Sequence, residues 1–288
     1  MRLFVFGLGY TARAFIRAFP WTHVAGTVRE DGRAQDLRVQ GVAAHPLAEG
    51  DGGLWDDLRG AGAILVSAPP DAEGDPTLNR FAERIASSGA SWIGYLSTTG
   101  VYGDHGGAWI DETTPPAPQS RSSEQRLAAE QAWLDLGRKT GQAVHVFRLT
   151  GIYGPGRNAF VSLARGTAQR IVKPGQVFNR IHVDDIAATL VASLSRPRAG
   201  AIYNVTDDEP APPQDVVAYA ARLAGAEPPP ETAFEAARMS PMALSFYAEN
   251  KRVSNRLIKD ELGVRLRYPT YREGLAALHA AGESNSAA

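Results

Sequence analysis

Short runs of aliphatic, aromatic and β-branched residues recur along the chain, at Leu3 to Phe6, Val24 to Val28, Ala63 to Ser67, Trp92 to Ser97, Val144 to Leu149 and Ile202 to Val205. Each predicts a strand. Between them, Arg13 to Phe19, Leu54 to Arg59, Thr77 to Ser87, Glu124 to Leu136 and Ile186 to Leu194 carry apolar residues three to four apart and stop at glycine, proline or polar positions, which predicts helices. The alternation of the two patterns implies βα units and a parallel sheet covered on both faces. No self-similarity of repeat length is present, so solenoids and propellers are excluded. After Gly156 the pattern loosens, with prolines at 210, 212 and 213 and again at 228 to 230, and this predicts a second, smaller lobe. Ala280 to Ala288 has the small polar composition of a flexible tail.

Composition narrows the function classes. The 288 residues are 44% hydrophobic and 21% charged, with 30 Lys plus Arg against 31 Asp plus Glu and a formal net charge of −1. That excludes disordered, collagen-like and coiled-coil chains and leaves no global field to recruit nucleic acid or an anionic membrane. No apolar stretch approaches the roughly eighteen residues of a membrane helix, and Leu3 to Phe6 is too short for a signal peptide. The absence of cysteine removes disulfides, thiolate nucleophiles and Cys-type zinc sites, which suits a cytoplasmic location. Redox chemistry, if present, is borrowed from a cofactor. No His-Glu-x-x-His, P-loop or Gly-x-Ser-x-Gly pattern occurs, so no metal site is expected, and basic residues do not cluster with aromatics as nucleic-acid platforms require.

Gly7-Leu8-Gly9-Tyr10-Thr11-Ala12 directly follows the first strand and opens a helix. In that context the Gly-x-Gly-x-x-Ala spacing points to dinucleotide binding: Gly7 for a tight turn, Gly9 for close approach of the backbone to a pyrophosphate, and Ala12 for packing of helix on strand. About twenty residues on, where an acidic side chain would take the ribose hydroxyls of NAD, the second strand ends in Arg29. Arginine there favours the 2′-phosphate of NADP, with NAD as the alternative because Glu30 and Asp31 follow at once.

Further motifs fall in order: Leu96-Ser97-Thr98-Thr99-Gly100-Val101-Tyr102-Gly103-Asp104, Arg148-Leu149-Thr150-Gly151-Ile152-Tyr153-Gly154-Pro155-Gly156-Arg157, Arg180-Ile181-His182-Val183-Asp184-Asp185-Ile186-Ala187 and Ile202-Tyr203-Asn204-Val205. With the glycine turn, these resemble the extended, or atypical, short-chain dehydrogenase/reductases, the NAD-dependent epimerase/dehydratase family that acts largely on nucleotide-sugars. The resemblance implies an α/β fold: a Rossmann doubly wound parallel sheet of about seven strands with a smaller C-terminal α/β substrate lobe. It places the dinucleotide-binding domain at 1–156, with the segment 183–205 returning to it, the substrate lobe at 157–182 and 206–279, and the tail at 280–288. Ser67, Ala68 and Pro69 would lie along the cofactor. Family dimers imply a monomer or homodimer, with no partner beyond a small-molecule substrate.

One departure bears on mechanism. The family uses a Tyr-x-x-x-Lys pair at a helix start and a Ser or Thr at the preceding strand end. Threading this chain puts Ser122 at the tyrosine and Arg126 at the lysine, and Thr98 alone matches its role. A tyrosine can be tuned into a working acid/base by a nearby ammonium, whereas an isolated serine hydroxyl exchanges no proton near neutrality without a separate base. Ser122 through Gln125 also fits a capping box. Arg126 keeps a charge and a fork of donors but shuttles no proton. Tyr102 and Tyr153 follow strand ends and are the alternative acids. Arg157, Arg165, Arg170, Lys173 and Arg180 form the densest cationic stretch, read as a diphosphate or carboxylate site or as a solvated helix face, and His182 sits in the family's hinge. The expectation is an NADP-dependent enzyme on a nucleotide-sugar-like or small anionic substrate with non-standard acid/base residues. The alternative is a non-catalytic NADP-binding sensor.

Overall fold

The computed structural model describes residues 1–47 and 53–284. The strands are β1 (Arg2–Phe6), β2 (His23–Val28), β3 (Ala43–Pro46), β4 (Ala63–Val66), β5 (Trp92–Thr98), β6 (Trp109–Ile110), β7 (Ala143–Leu149), β8 (Gly151–Tyr153), β9 (Arg170–Val172), β10 (Arg180–His182), β11 (Ala201–Val205), β12 (Glu231–Ala233) and β13 (Arg252–Val253). The helices are α1 (Tyr10–Ala18), α2 (Asp31–Val39), α3 (Leu54–Arg59), α4 (Pro76–Ala86), α5 (Arg121–Thr140), α6 (Ala159–Ala164), α7 (Val183–Ser195), α8 (Pro213–Leu223), α9 (Pro241–Ala248), α10 (Arg256–Asp260) and α11 (Tyr271–Ala280).

Seven strands form a parallel sheet in the order β11-β7-β5-β4-β1-β2-β3. The order reverses between β1 and β4, the switch point at which such sheets hold their ligands. Register fixes the geometry there: Phe6 lies opposite Thr27 of β2 and Val66 of β4, so the three strands end together. β1 is apolar on both faces because both are covered, and Leu3 through Phe6 are all buried. On one face Phe4, Phe6, Ile64, Val66, Phe81, Ile93, Tyr95 and Trp133 share a core. Ring contacts link Phe15, Trp92, His145 and Tyr203 in a second row.

The chain divides into two compact units. The first comprises Met1–Val101, Ser120–Arg148 and Ile186–Tyr203, and the second Tyr102–Gln119, Leu149–Asp185 and Asn204–Ala288. The first unit therefore yields 102–119 and 149–156 to the second, in contrast to the boundary expected at 156. The reason is strand pairing: β6 pairs with β13, and β8 pairs with β10. The second unit has its own core of Tyr153, Phe160, Ala211, Val216, Ala220, Tyr271, Leu275 and Leu278.

Two elements of the first unit escape the hydrophobic pattern. In α2 only Ala34 and Leu37 are buried, and β3 is a four-residue edge strand ending in Pro46. Of the segment 280–288 expected as a tail, residues 281–284 form a turn closed by Glu283 N–H donating to Leu278 O and by a 2.7 Å contact between His279 Nδ1 and Ser284 Oγ. Residues 285–288 lie outside the described residues. Among the described residues no helix is long and apolar enough to cross a membrane.

Candidate functional site

The turn after β1 is built as a cradle. Gly7 has φ +89°, a conformation glycine adopts without penalty, and a Cβ there would stand 3.2 Å from Ala68 N. Its N–H donates to Thr27 Oγ1 at 3.2 Å, and Leu8 N–H to Thr27 O at 3.2 Å, which ties the turn to the neighbouring strand. Gly9 is the N-cap of α1, and no side chain caps that end. The first turn of the helix therefore stands at the positive end of the helix dipole with no side-chain cap. An added Cβ on Gly9 would meet Ser67 Oγ only at 3.8 Å, so packing within the protein does not demand glycine there. Ala12 is fully buried against the sheet.

Ser67 continues from β4, its N–H donating to Phe6 O at 2.9 Å, and this brings Ser67 and Ala68 beside Gly7 and Gly9. Pro69 follows and is exposed, as is Arg29 just beyond β2. The expected cofactor residues of the turn and of the β4 end therefore meet at one sheet edge, with Arg29 at the adjacent strand end.

Thr98 closes β5, and its Oγ1 accepts from Gly100 N at 3.1 Å. A Cβ on Gly100 would fall 2.9 Å from Ser123 Oγ and 3.4 Å from Thr98 Oγ1, so the strand end and the start of α5 are in close contact. The helix starts earlier than its apolar period indicates. Ser120 is the N-cap, accepting from Ser123 N at 3.2 Å and donating to Ser123 Oγ at 2.9 Å. Ser122 is therefore not the capping residue expected from sequence. It is exposed in the first turn, 3.2 Å from Ser120 Oγ.

Arg126 donates through Nη1 to Leu96 O at 2.9 Å and to Tyr95 OH at 3.2 Å. Tyr95 stacks on Trp133, whose Nε1 donates to Asp75 Oδ2 at 3.0 Å, and Asp75 also caps α4. Burial pushes the Tyr95 phenol far above its ordinary range, so it is no acid at neutrality.

The remaining expected site residues lie in the second unit, and their surroundings are structural. Tyr102 is fully buried and donates to Asn204 Oδ1 at 2.8 Å, which commits the hydroxyl expected as an alternative acid. Tyr153 is likewise buried, and burial raises its phenol well above the usual range. His182 is buried between Tyr153 and Tyr268, with ring centroids at 5.1 and 4.1 Å. Its Nδ1 accepts from Asp184 N, and burial pushes its pKa down to about 4. Arg180 donates to Phe178 O and Ala211 O, Arg170 pairs with Glu231 at 2.6 Å, and Lys173 donates to Tyr247 O. Three members of the cationic stretch thus serve the lobe itself. Arg157 is exposed in a turn bridged to Gly154.

Sequence reasoning missed a buried ion pair beneath Thr98. Glu130 of α5, fully enclosed, receives Arg148 Nη2 at 2.7 Å and Ser97 Oγ at 2.5 Å. The signal was present: Arg148 sits in the apolar run Val-His-Val-Phe-Arg-Leu, and a charge inside a covered strand requires a buried partner.

With this geometry in place, comparison with known proteins gives the class. The model of the NAD dependent epimerase/dehydratase family matches residues 78–206. GDP-6-deoxy-D-mannose reductase of Pseudomonas aeruginosa is 30% identical over 205 residues, 61% of this chain and 67% of that protein. The chain belongs to the NAD-dependent epimerase/dehydratase family. Protein YeeZ of Escherichia coli (strain K12) is 29% identical over 236 residues, 77% of this chain and 82% of that protein. The structure of a functionally unknown conserved protein from Silicibacter pomeroyi DSS is 49% identical, with a TM-score of 0.89 over 98% of this chain and 99% of that one.

Proposed function

We propose that this protein is an NADP-dependent enzyme acting on a nucleotide-sugar-like or other small anionic substrate, without the acid/base pair usual in its family. The observation that carries the reading is the N-terminus of α1 at Gly9, which has no side-chain cap and stands beside Ser67 at the end of β4. Those residues fit a dinucleotide: a helix N-terminus for a pyrophosphate, glycine at the point of closest approach, and a strand-end hydroxyl alongside. A bound nicotinamide cofactor would supply hydride transfer. The chain's own part is to hold and orient. Thr98 offers a strand-end hydroxyl to a substrate oxygen, and Arg126, fixed to Leu96 O, holds a positive charge at the same strand end. Neither Ser122 nor Arg126 exchanges a proton near neutrality, so the substrate is one whose reaction draws its proton from water or from its own groups. The similarity to a GDP-6-deoxy-D-mannose reductase supports a nucleotide-sugar-like substrate.

A second reading, a non-catalytic sensor of reduced against oxidised NADP, is favoured by the same missing acid. A thermal-shift screen of dinucleotides crossed with nucleotide-sugars and small acids separates the two. Additive stabilisation by a dinucleotide and a small anion supports the enzyme. Stabilisation that depends only on the redox form of the dinucleotide supports the sensor.

A further inference from the structure

A groove of about 800 Å³ lies beside the β6–β13 ladder, and every residue that lines it belongs to the second unit. Its size is that of a small-molecule site. Ile110 and Val253 stand opposite each other in the ladder, are buried, and supply the apolar part of the lining. Trp109 lines the same groove and is 62% exposed. Just beyond β13, Asn255 donates through Nδ2 to Thr206 O at 3.0 Å and to Asp208 Oδ1 at 2.6 Å. The loop after β11 is thereby fastened to the ladder before any ligand arrives.

Asp207 differs from its neighbours in the lining. Asp111 accepts from Thr113 N at 2.9 Å, and Asp208 accepts from Asn255 and Lys259, so both of those carboxylates are committed. Asp207 is 2% exposed; its Oδ1 accepts from Glu209 N at 3.2 Å, but its Oδ2 has no hydrogen-bond partner. A buried oxygen in that state is unfavourable, and a ligand that bonds it relieves the penalty. Burial pushes this carboxyl up to about 8, so near neutrality it is largely protonated. A cation would satisfy only the ionised form and an anion only the protonated one, whereas a hydroxyl both donates and accepts and so satisfies either. The rim points the same way: Asp111, Asp208 and Asp260 against Arg256 and Lys259 leave no strong field for an ion of either sign.

We propose that this groove binds a neutral polyhydroxyl compound, a free monosaccharide or cyclic polyol, with one hydroxyl on Asp207 and the C–H face of the ring on Trp109. A broad indole left in water beside hydrogen-bonding groups suits a ligand that is apolar on its face and polar at its edge. The site uses no residue of the glycine turn and neither Thr98 nor Arg126, so it is independent of the proposed function.

The test is titration of D-glucose, D-galactose and myo-inositol into the full-length protein, followed by the indole N–H signals in nitrogen-15 NMR. Of the five tryptophans, the one whose signal is missing in Trp109→Phe should be the one that moves, with a Kd of about 1–10 mM for the preferred compound. Saturation-transfer NMR reads binding in the variants. Trp109→Ala should weaken it by about tenfold, and Trp109→Phe, which keeps a flat ring, by about threefold or less. Asp207→Ala should also weaken it by about tenfold, whereas Asp207→Asn, with a donor and an acceptor in the same shape, should lose about threefold or less. Trp109 is exposed, so its variants fold whatever Asp207→Ala does to stability. Sodium phosphate and ethylammonium chloride at matched concentrations should leave the Trp109 signal in place. Three results each overturn the proposal: no shift of that signal with any of the three compounds up to about 100 mM, equal binding in Trp109→Ala, or a shift with phosphate or ethylammonium alone.

Discussion

Two helices begin at the ends of sheet strands, α1 after β1 and α5 beside the end of β5, and their first turns are finished in opposite ways. At α1 the cap is a glycine with no side chain to satisfy the first N–H groups. At α5 the cap is Ser120, which accepts from Ser123 N and shares its hydroxyl with Ser123 Oγ, so that end satisfies itself. The family resemblance leads one to expect chemistry at both. The difference teaches that the first turn of α5 is finished by its own hydroxyls, whereas that of α1 has no side-chain cap, and the proposed function places the ligand at α1.

The largest expected effect lies in that scaffold. Glu130→Ala would leave Arg148 as an uncompensated charge at 2% exposure, at a cost of about 3–5 kcal/mol in a denaturant titration. A loss under about 1 kcal/mol would mean that the start of α5 is not anchored through this pair.

Next comes the cradle. Gly9→Val should lower dinucleotide affinity by about a hundredfold while changing stability by less than about 1 kcal/mol, since the added Cβ meets no protein atom closer than 3.8 Å. Binding by calorimetry and melting by circular dichroism check the two halves. Retained binding in a folded variant would erase the contrast between the two helix ends.

Two buried titratable groups of the second unit make stability depend on pH. Burial pushes Asp207 up to about 8, with Oδ2 lacking a hydrogen-bond partner, and His182 down to about 4. For Asp207 the folded state holds a proton that the unfolded chain releases near the ordinary carboxylate value, so its contribution is full in acid and is lost as pH rises to about 8. For His182 the sign is reversed: its contribution is full above its ordinary value and is lost as pH falls to about 4. Asp207→Asn should therefore gain stability relative to wild type as pH rises through neutrality. Parallel melting curves for the two proteins from pH 5 to pH 9 would contradict that assignment.

A smaller effect is expected from Ser120→Ala, about 1 kcal/mol of stability, with dinucleotide affinity unchanged. Lost affinity would show that the α5 start still serves the cofactor.

What the sequence made legible follows the range of each interaction. The glycine turn is a local pattern of six residues after an apolar strand, and it folds as read. The sheet's central strands are equally local. α2 and β3 escape sequence reasoning because a polar surface helix and a proline-ended edge strand carry almost no periodic signal. Ser122 competes with Ser120 as the cap because both offer a hydroxyl near the helix start, and only backbone geometry separates N-cap from first turn. Tyr102 and His182 read as candidate chemistry because strand-end positions suggest exposure; tertiary packing buries both. Trp109 and Asp207 stand far apart in the chain, so their shared groove is invisible before folding.

The most direct test of the contrast between the two helix ends is a side-by-side time course of nicotinamide absorbance for wild type and Ser122→Ala. Both are saturated with the cofactor form that binds, and nucleotide-sugars are supplied with product analysis for epimers. The expected result is equal behaviour of the two proteins, because Ser122 is exposed and its hydroxyl contact is with Ser120. Robust wild-type turnover abolished in Ser122→Ala would make Ser122 catalytic and contradict the account.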